Sequence, residues 1–280
     1  MDASTSYFHT SSIFLNGSSF ERLPTNGSYS VLENTFGFRY DVATRMALRG
    51  YSILSLAESK SVDFDRNRFD ITYVGLQGLV EMPIDFVRII PEVDLRIPLR
   101  QIDFMTDEVL NTDGAFHVIG AIHFLRDWSL FETYVRAGAD YRTNGLATLG
   151  LLDVGIRGRF GAVAIGGGVG GVFTLMPDEY SDTPQRRRAV TNRVNAGSYK
   201  YFEVVPSTLA YDLNMSIDWS REFTMNLGYK NTFNGENSAR GYTLYTSVAF
   251  SPTPGFDDSD VQYGRPASKR RNKEERVERK

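Results

Sequence analysis

GAFHVIGAIHFLRDWSLFETYVRAGADYR, residues 114–142, alternates by twos through two consecutive runs. In the first, Phe116, Val118, Gly120, Ile122 and Phe124 hold the even positions, and His117 and His123 are among the odd ones. Arg126-Asp127-Trp128 interrupts the pattern. In the second run Phe131, Thr133, Val135, Ala137, Ala139 and Tyr141 fall on one side, Glu132, Tyr134, Arg136, Asp140 and Arg142 on the other. Successive side chains of a strand point to opposite faces, so this stretch is predicted to be a hairpin with one apolar and one charged surface.

The same alternation recurs outward in both directions. Upstream, strands are expected at 31–40, 45–57, 69–82 and 86–99. In the last of these, Val87, Ile89, Pro91, Val93, Leu95, Ile97 and Leu99 oppose Arg88, Glu92, Asp94 and Arg96. Pro91 has no N–H to donate, so a bulge or local pairing break is expected there. Downstream, 147–160, 162–175, 199–219, 223–233 and 241–251 read as strands, and 7–15 is a weak candidate for a first one.

A sheet with one apolar face needs something to cover that face. These hairpins follow one another without helices to do so, and lipid can take that role. The chain resembles a bacterial outer-membrane β-barrel, apolar outside and polar within. The fold class expected is all-β: an antiparallel transmembrane barrel of about twelve strands, with ten as the alternative, and a disordered C-terminal tail. Short turns near 41–44, 83–85, 126–128, 160–161 and 220–222 alternate with longer loops, as periplasmic turns and extracellular loops do in such barrels. The expected organisation is an N-terminal segment 1–27 containing the weak strand, a barrel over 28–251, and a charged tail over 252–280 emerging in the periplasm.

The run from Gly241 to Phe250 is similar to the closing strand of these proteins, but here 30 residues follow the final aromatic. Ser-Pro-Thr-Pro at 251–254 stops strand pairing. An acidic patch (Asp257, Asp258, Asp260) and a basic end with Lys269, Arg270, Arg271, Lys273, Arg276, Arg279 and Lys280 come next. That basic end is a candidate site for a periplasmic protein or cell-wall partner, set against a merely solvated extension. Export requires a signal peptide, and Met1-Asp2-Ala3-Ser4 has neither a basic nor an apolar leader region, so a removed signal is expected.

Composition narrows the classes further. With 15 Tyr, 19 Phe and 25 Gly, the chain suits strands, turns and interfacial aromatic girdles. A net charge of −3 argues against nucleic acid as a partner. Zero Cys removes disulfides and thiolate chemistry. No uninterrupted apolar run is long enough for a transmembrane helix.

Candidate chemistry is sparse. His117 and His123 would sit about 20 Å apart along one strand, too far to share a metal ion, and are expected to be polar lumen residues. His9-Thr10-Ser11 fits a His-x-Ser spacing within a Ser/Thr-rich stretch and is read as coincidence. The glycine run at 166–171 lacks the Lys-Ser/Thr that completes a phosphate loop. Its inward wall of Ala162, Ala164, Gly166, Gly168 and Gly170 is expected to make room for Arg and Tyr side chains from elsewhere in the barrel. Asn16-Gly17-Ser18 and Asn26-Gly27-Ser28 mark turns, and Arg186-Arg187-Arg188 a solvated loop, with lipopolysaccharide phosphates as its alternative partner.

The inward charges form the candidate site: Arg49, Arg88, Glu92, Asp94, Arg96, Glu132, Arg136, Asp140, Asp153, Arg157, Arg159, Asp212, Asp218 and Lys230. A selective pore segregates sign, whereas interleaved signs favour a paired network in a narrow or occluded lumen. Neither a cofactor, nor a metal, nor catalysis is expected. The reading is an outer-membrane anchor or scaffold for a cell-envelope assembly, in contact with lipid and lipopolysaccharide. A passive, porin-like channel for small polar solutes is the alternative.

Overall fold

The computed structural model describes residues 1–15, 19–23, 26–63, 65–102, 109–179, 181, 198–201, 204–220 and 222–251. Among the described residues fourteen strands form one antiparallel sheet that runs in sequence order apart from two short strands, and the last pairs with the first. They are β1 (Asp2–Phe14), β2 (Phe20–Arg22), β3 (Ser28–Ala43), β4 (Met46–Lys60), β5 (Asp65–Val80), β6 (Met82–Ile84) and β7 (Val87–Pro98), then β8 (His117–Asp127), β9 (Phe131–Arg142), β10 (Thr148–Phe160), β11 (Val163–Met176), β12 (Ser207–Asp218), β13 (Phe223–Glu236) and β14 (Ser238–Phe250). Leaving aside the three-residue β2 and β6, twelve strands close a barrel. Closure joins β1 to β14 from Asp2↔Ala249 to Phe14↔Ser238.

Exposure alternates as the sequence pattern requires. Val93 and Ile97 of β7, Val154 and Ile156 of β10 and Leu213 of β12 are exposed, whereas Glu92, Asp94 and Glu132 are buried. An inside-out distribution of this kind is stable only where the outer solvent is hydrocarbon. Aromatics bound the apolar band. On β14 it runs from Tyr242 to Phe250, and on β12 from Tyr211 to just beyond Asp218, where Trp219 is exposed. Eight residues span about 27 Å along a strand, or about 21 Å once the strand tilts by some 40°, close to the hydrocarbon thickness such barrels match.

Turns at one end are short: Thr44-Arg45, Trp128–Leu130 and Gly161-Ala162, where Gly161 has φ 66°. Asp85 and Ser129 also take positive φ at this end, which turn geometry demands. At the other end the connections 15–27, 99–116 and 177–206 are long, whereas 61–64 and 143–147 are short and Asn237 (φ 46°) alone links β13 to β14.

Several boundaries differ from the expected ones. The weak first strand is a full one, paired on both sides. The loop expected at 58–68 shrinks, because β4 continues to Lys60 and β5 starts at Asp65. The strand expected from 199 begins only at Ser207; Ser198–Tyr201 is a single helical turn, α1. At Pro91 the ladder to β8 is unbroken, but on the opposite side β5 pairing stops at Glu92 and β6 takes over at Ile89. The missing donor is thus placed between two partner strands.

Candidate functional site: the lumen

Most of the expected inward charges meet one another in the barrel interior. Arg88 donates to Glu132 at 2.8 Å, with Asp127 at 3.8 Å and Glu81 at 4.0 Å. Glu92 accepts from Gln77 at 3.0 Å, lies 2.5 Å from His123 Nε2 and faces Arg136 at 3.5 Å, which in turn reaches Asp153 at 3.8 Å. Asp94 accepts from Tyr51 at 2.6 Å and from Arg96 at 3.0 Å, while Arg96 also donates to the Tyr51 hydroxyl. Arg49 pairs with Asp2. Asp212 accepts from Tyr245 at 2.9 Å and from Asn214 at 2.7 Å, and Asp218 accepts from Thr224 at 3.0 Å. Lys230 stands across the ladder from Asp212. Arg157 and Arg159 line the lumen cavity. The interior charges lie beside opposite charges or hydroxyls, which offsets the cost of removing them from water.

The glycine wall has a specific role. A Cβ on Gly155 would lie 2.4 Å from Tyr134 Cζ, and one on Gly168 would lie 2.6 Å from the Tyr134 hydroxyl. Tyr134 crosses over from β9 directly opposite Gly155. Tyr51 likewise covers Gly75 on β5, and Tyr245 covers Gly228 on β13. The small positions accept tyrosine rings from the adjacent strand and pin the register.

Sequence reasoning did not anticipate the plug. Val109 to Ala115, between β7 and β8, is buried throughout. Its hydrogen-bond partners come from the wall between β3 and β9. Tyr29 of β3 donates to the Leu110 carbonyl at 2.7 Å, and Asn111 donates to the Ser55 carbonyl of β4 and to Asp70 of β5, both at 3.3 Å. Thr112 and Asp113 both bond the Tyr73 hydroxyl. Asp113 also lies 3.1 Å from His117 Nε2 and 3.5 Å from Arg142, and His117 Nδ1 is 3.0 Å from Asp140. Asp113 stands outside the strands. Burial pushes its pKa up, but hydrogen bonds from His117 and Tyr73 and the Arg142 charge prevail and hold it below the usual carboxylate value.

Apolar packing and a second latch complete this end. Val109 joins Phe8, Ile13, Leu23, Tyr29, Val31, Ala57 and Ala239, while Leu110 and Ala115 pack with Leu146. From α1, Lys200 reaches Glu33 at 3.3 Å, and the Tyr201 hydroxyl donates to Glu33 at 3.1 Å. No local signal announces this arrangement. Asn111-Thr112-Asp113-Gly114 reads as an ordinary polar loop, and its partners are as much as 56 residues away.

The opposite half is open. A cavity of about 1130 Å³ reaches the short-turn rim at Asp41, Arg45, Ser220 and Ser251, and extends inward to Arg49, Glu92, His123 and Arg157. Beyond that layer stand Asp94, Tyr73, Asp113, His117 and Arg142, all buried. The histidines occupy different layers, as their spacing requires. His9 faces outward beside Tyr242, at 5.6 Å between ring centres. Among the described residues there is no cluster of His, Asp and Glu arranged to hold a metal ion. Arg186–Arg188 and the seven basic tail positions lie outside the described residues.

No family model matches this chain. Nor does any curated protein match it in sequence. Solved structures do match in shape. An outer membrane channel from Pseudomonas putida F1 superposes with a TM-score of 0.65 at 10% identity, over 89% of this chain and 95% of that one. LpxR from Salmonella typhimurium gives 0.50 at 10% identity, over 90% and 100%. The KdgM porin gives 0.46 at 9% identity, over 89% and 99%. At such identities the likeness concerns the fold, and function has to be argued from the site. The closed twelve-strand cylinder with its lipid-facing apolar band has the fold of the bacterial outer-membrane β-barrels.

Proposed function

We propose that this protein is a non-enzymatic anchor or scaffold in the outer membrane, with its lumen shut at the long-loop end. The observation behind this reading is the plug: inside the barrel, Asn111, Thr112 and Asp113 are tied to Ser55 of β4, Tyr73 of β5 and His117 of β8. A bonded segment in the bore narrows the path for solute and stiffens a cylinder that carries a tail. In this reading the short-turn end faces the periplasm, and the basic end (Lys269, Arg270, Arg271, Lys273, Arg276, Arg279, Lys280) holds a periplasmic protein or the cell wall. Both imidazoles lie against carboxylates, His117 against Asp113 and Asp140 and His123 against Glu92. In His117 both ring nitrogens face carboxylates, Asp140 at Nδ1 and Asp113 at Nε2, which leaves neither to serve a serine or threonine nucleophile.

The test is recovery of envelope material by the detergent-solubilised full chain and by a variant ending at residue 251. The scaffold reading expects a periplasmic protein or peptidoglycan fragment with the full chain, lost on truncation while heat-modifiable gel migration stays unchanged. Equal recovery by both forms refutes the tether.

One observation favours a second reading, a channel for small polar solutes: the cavity of about 1130 Å³ lined by Arg157, Arg159 and Glu92. A channel requires the plug to move, and it would give stable single-channel openings without any change to the sequence.

A further inference from the structure

The outer wall is not uniformly oily. The lipid-facing positions of β1 are Ala3, Thr5, Tyr7 and His9, and no Leu, Ile, Val, Met or Phe stands among them. Beside Thr5, Asn34 of β3 faces the same way, paired with it in the ladder, and accepts its hydroxyl proton at 2.7 Å. The Asn34 Nδ2 donors meet no acceptor among the described residues. In depth, Asn34 is four residues from Ser30, on the row of His9 and Tyr242, and four from Phe38 near the short-turn rim. It therefore sits midway through the hydrocarbon band. Thr246 of β14 and Ser52 of β4 extend the polar patch on either side.

An amide donor at that depth is costly, since acyl chains offer it no acceptor. We infer that this face, centred on Asn34 and Thr5, is covered by a second copy of the chain related by a two-fold axis. Such an axis sets a surface against itself, so the surface must be self-complementary. This one is. A carboxamide is donor and acceptor at once, so two Asn34 side chains satisfy each other without any charge. The lipid-facing positions of the patch carry no formal charge, so like copies meet without repulsion, and the electrostatic complementarity is between amide dipoles. Shape agrees as well. Phe38 is 58% exposed, and across the ladder from it Gly50 has open space where a Cβ would stand, which gives a projecting ring beside a recess.

The chain has no cysteine, so single-cysteine probes are clean. Ala3→Cys in the patch and Leu152→Cys on β10, across the barrel, are treated with a short bis-maleimide in outer-membrane vesicles. The expected result is a covalent dimer for Ala3→Cys and monomer for Leu152→Cys. Adding Asn34→Leu to Ala3→Cys should lower the dimer yield about threefold to tenfold, while heat-modifiable migration shows the barrel intact. Equal cross-linking at both sites, monomer at both, capture of a different protein by Ala3→Cys, or a yield indifferent to Asn34→Leu would each overturn the proposal.

Discussion

The two halves of the lumen are built from the same kinds of residue and behave differently. Toward the long loops, Asp113, His117, Asp140, Arg142 and Tyr73 lock together in a buried cluster. Toward the short turns, Arg49, Arg157, Arg159 and Glu92 border a cavity. Where residues 109–115 enter, Asp113 gives Tyr73, His117 and Arg142 a shared partner away from water. In the other half, among the described residues, the charges pair with one another beside a cavity. Charge composition alone therefore does not decide whether a barrel is open.

Substitutions should separate the halves. Asp113→Ala leaves Tyr73, His117 and Arg142 without their shared acceptor, and removing one member of a buried charged cluster costs about 3–5 kcal/mol. Chemical unfolding in lipid vesicles should show the largest loss here. A fall below 1 kcal/mol would mean that the cluster is solvated. Tyr73→Phe deletes the hydroxyl shared by Thr112 and Asp113 and should cost about 1–3 kcal/mol in the same assay. In the open half, Arg159→Ala should change stability by no more than about 0.5 kcal/mol. A comparable loss there would erase the contrast.

Acidity probes the same contrast from another side. Asp113 has a pKa depressed by His117, Tyr73 and Arg142 against the opposing effect of burial. Its contribution is then fully present above the unfolded carboxylate value of about 4 and is lost as pH falls through the lower folded value. Hydrogen exchange of the 109–115 amides should stay protected from neutral pH down to about 5 and weaken only below about 4. Asp113→Asn should remove that acid dependence. Loosening already at pH 6 would contradict the assignment.

Much of this architecture is legible in the sequence, and the exceptions have physical causes. Alternation located β7 to β10 because aliphatic side chains faced charges, as Val93 and Ile97 do opposite Asp94 and Arg96. It read β1 only weakly, since Ala3, Thr5, Tyr7 and His9 supply no apolar face. The single residue Asn237 between β13 and β14 was hidden behind a polar run that looks like a loop. A register irregularity around Thr72 of β5, where Ile53 and Leu54 pair with Tyr73 and Ile71, turns Tyr73 inward, and periodicity read in isolation does not reveal it. The charge pairs were foreseeable as a class but not individually, because partners such as Arg49 and Asp2 depend on three-dimensional register. The plug was invisible for the same reason, its partners being scattered over β3, β4, β5, β8 and β9.

The central claim is that residues 109–115 shut the lumen, and planar-bilayer conductance tests it most directly. Wild-type protein should insert without stable openings. A variant with 109–115 replaced by a Gly-Ser linker should conduct. Stable wild-type openings as large as those of the linker variant would contradict the account.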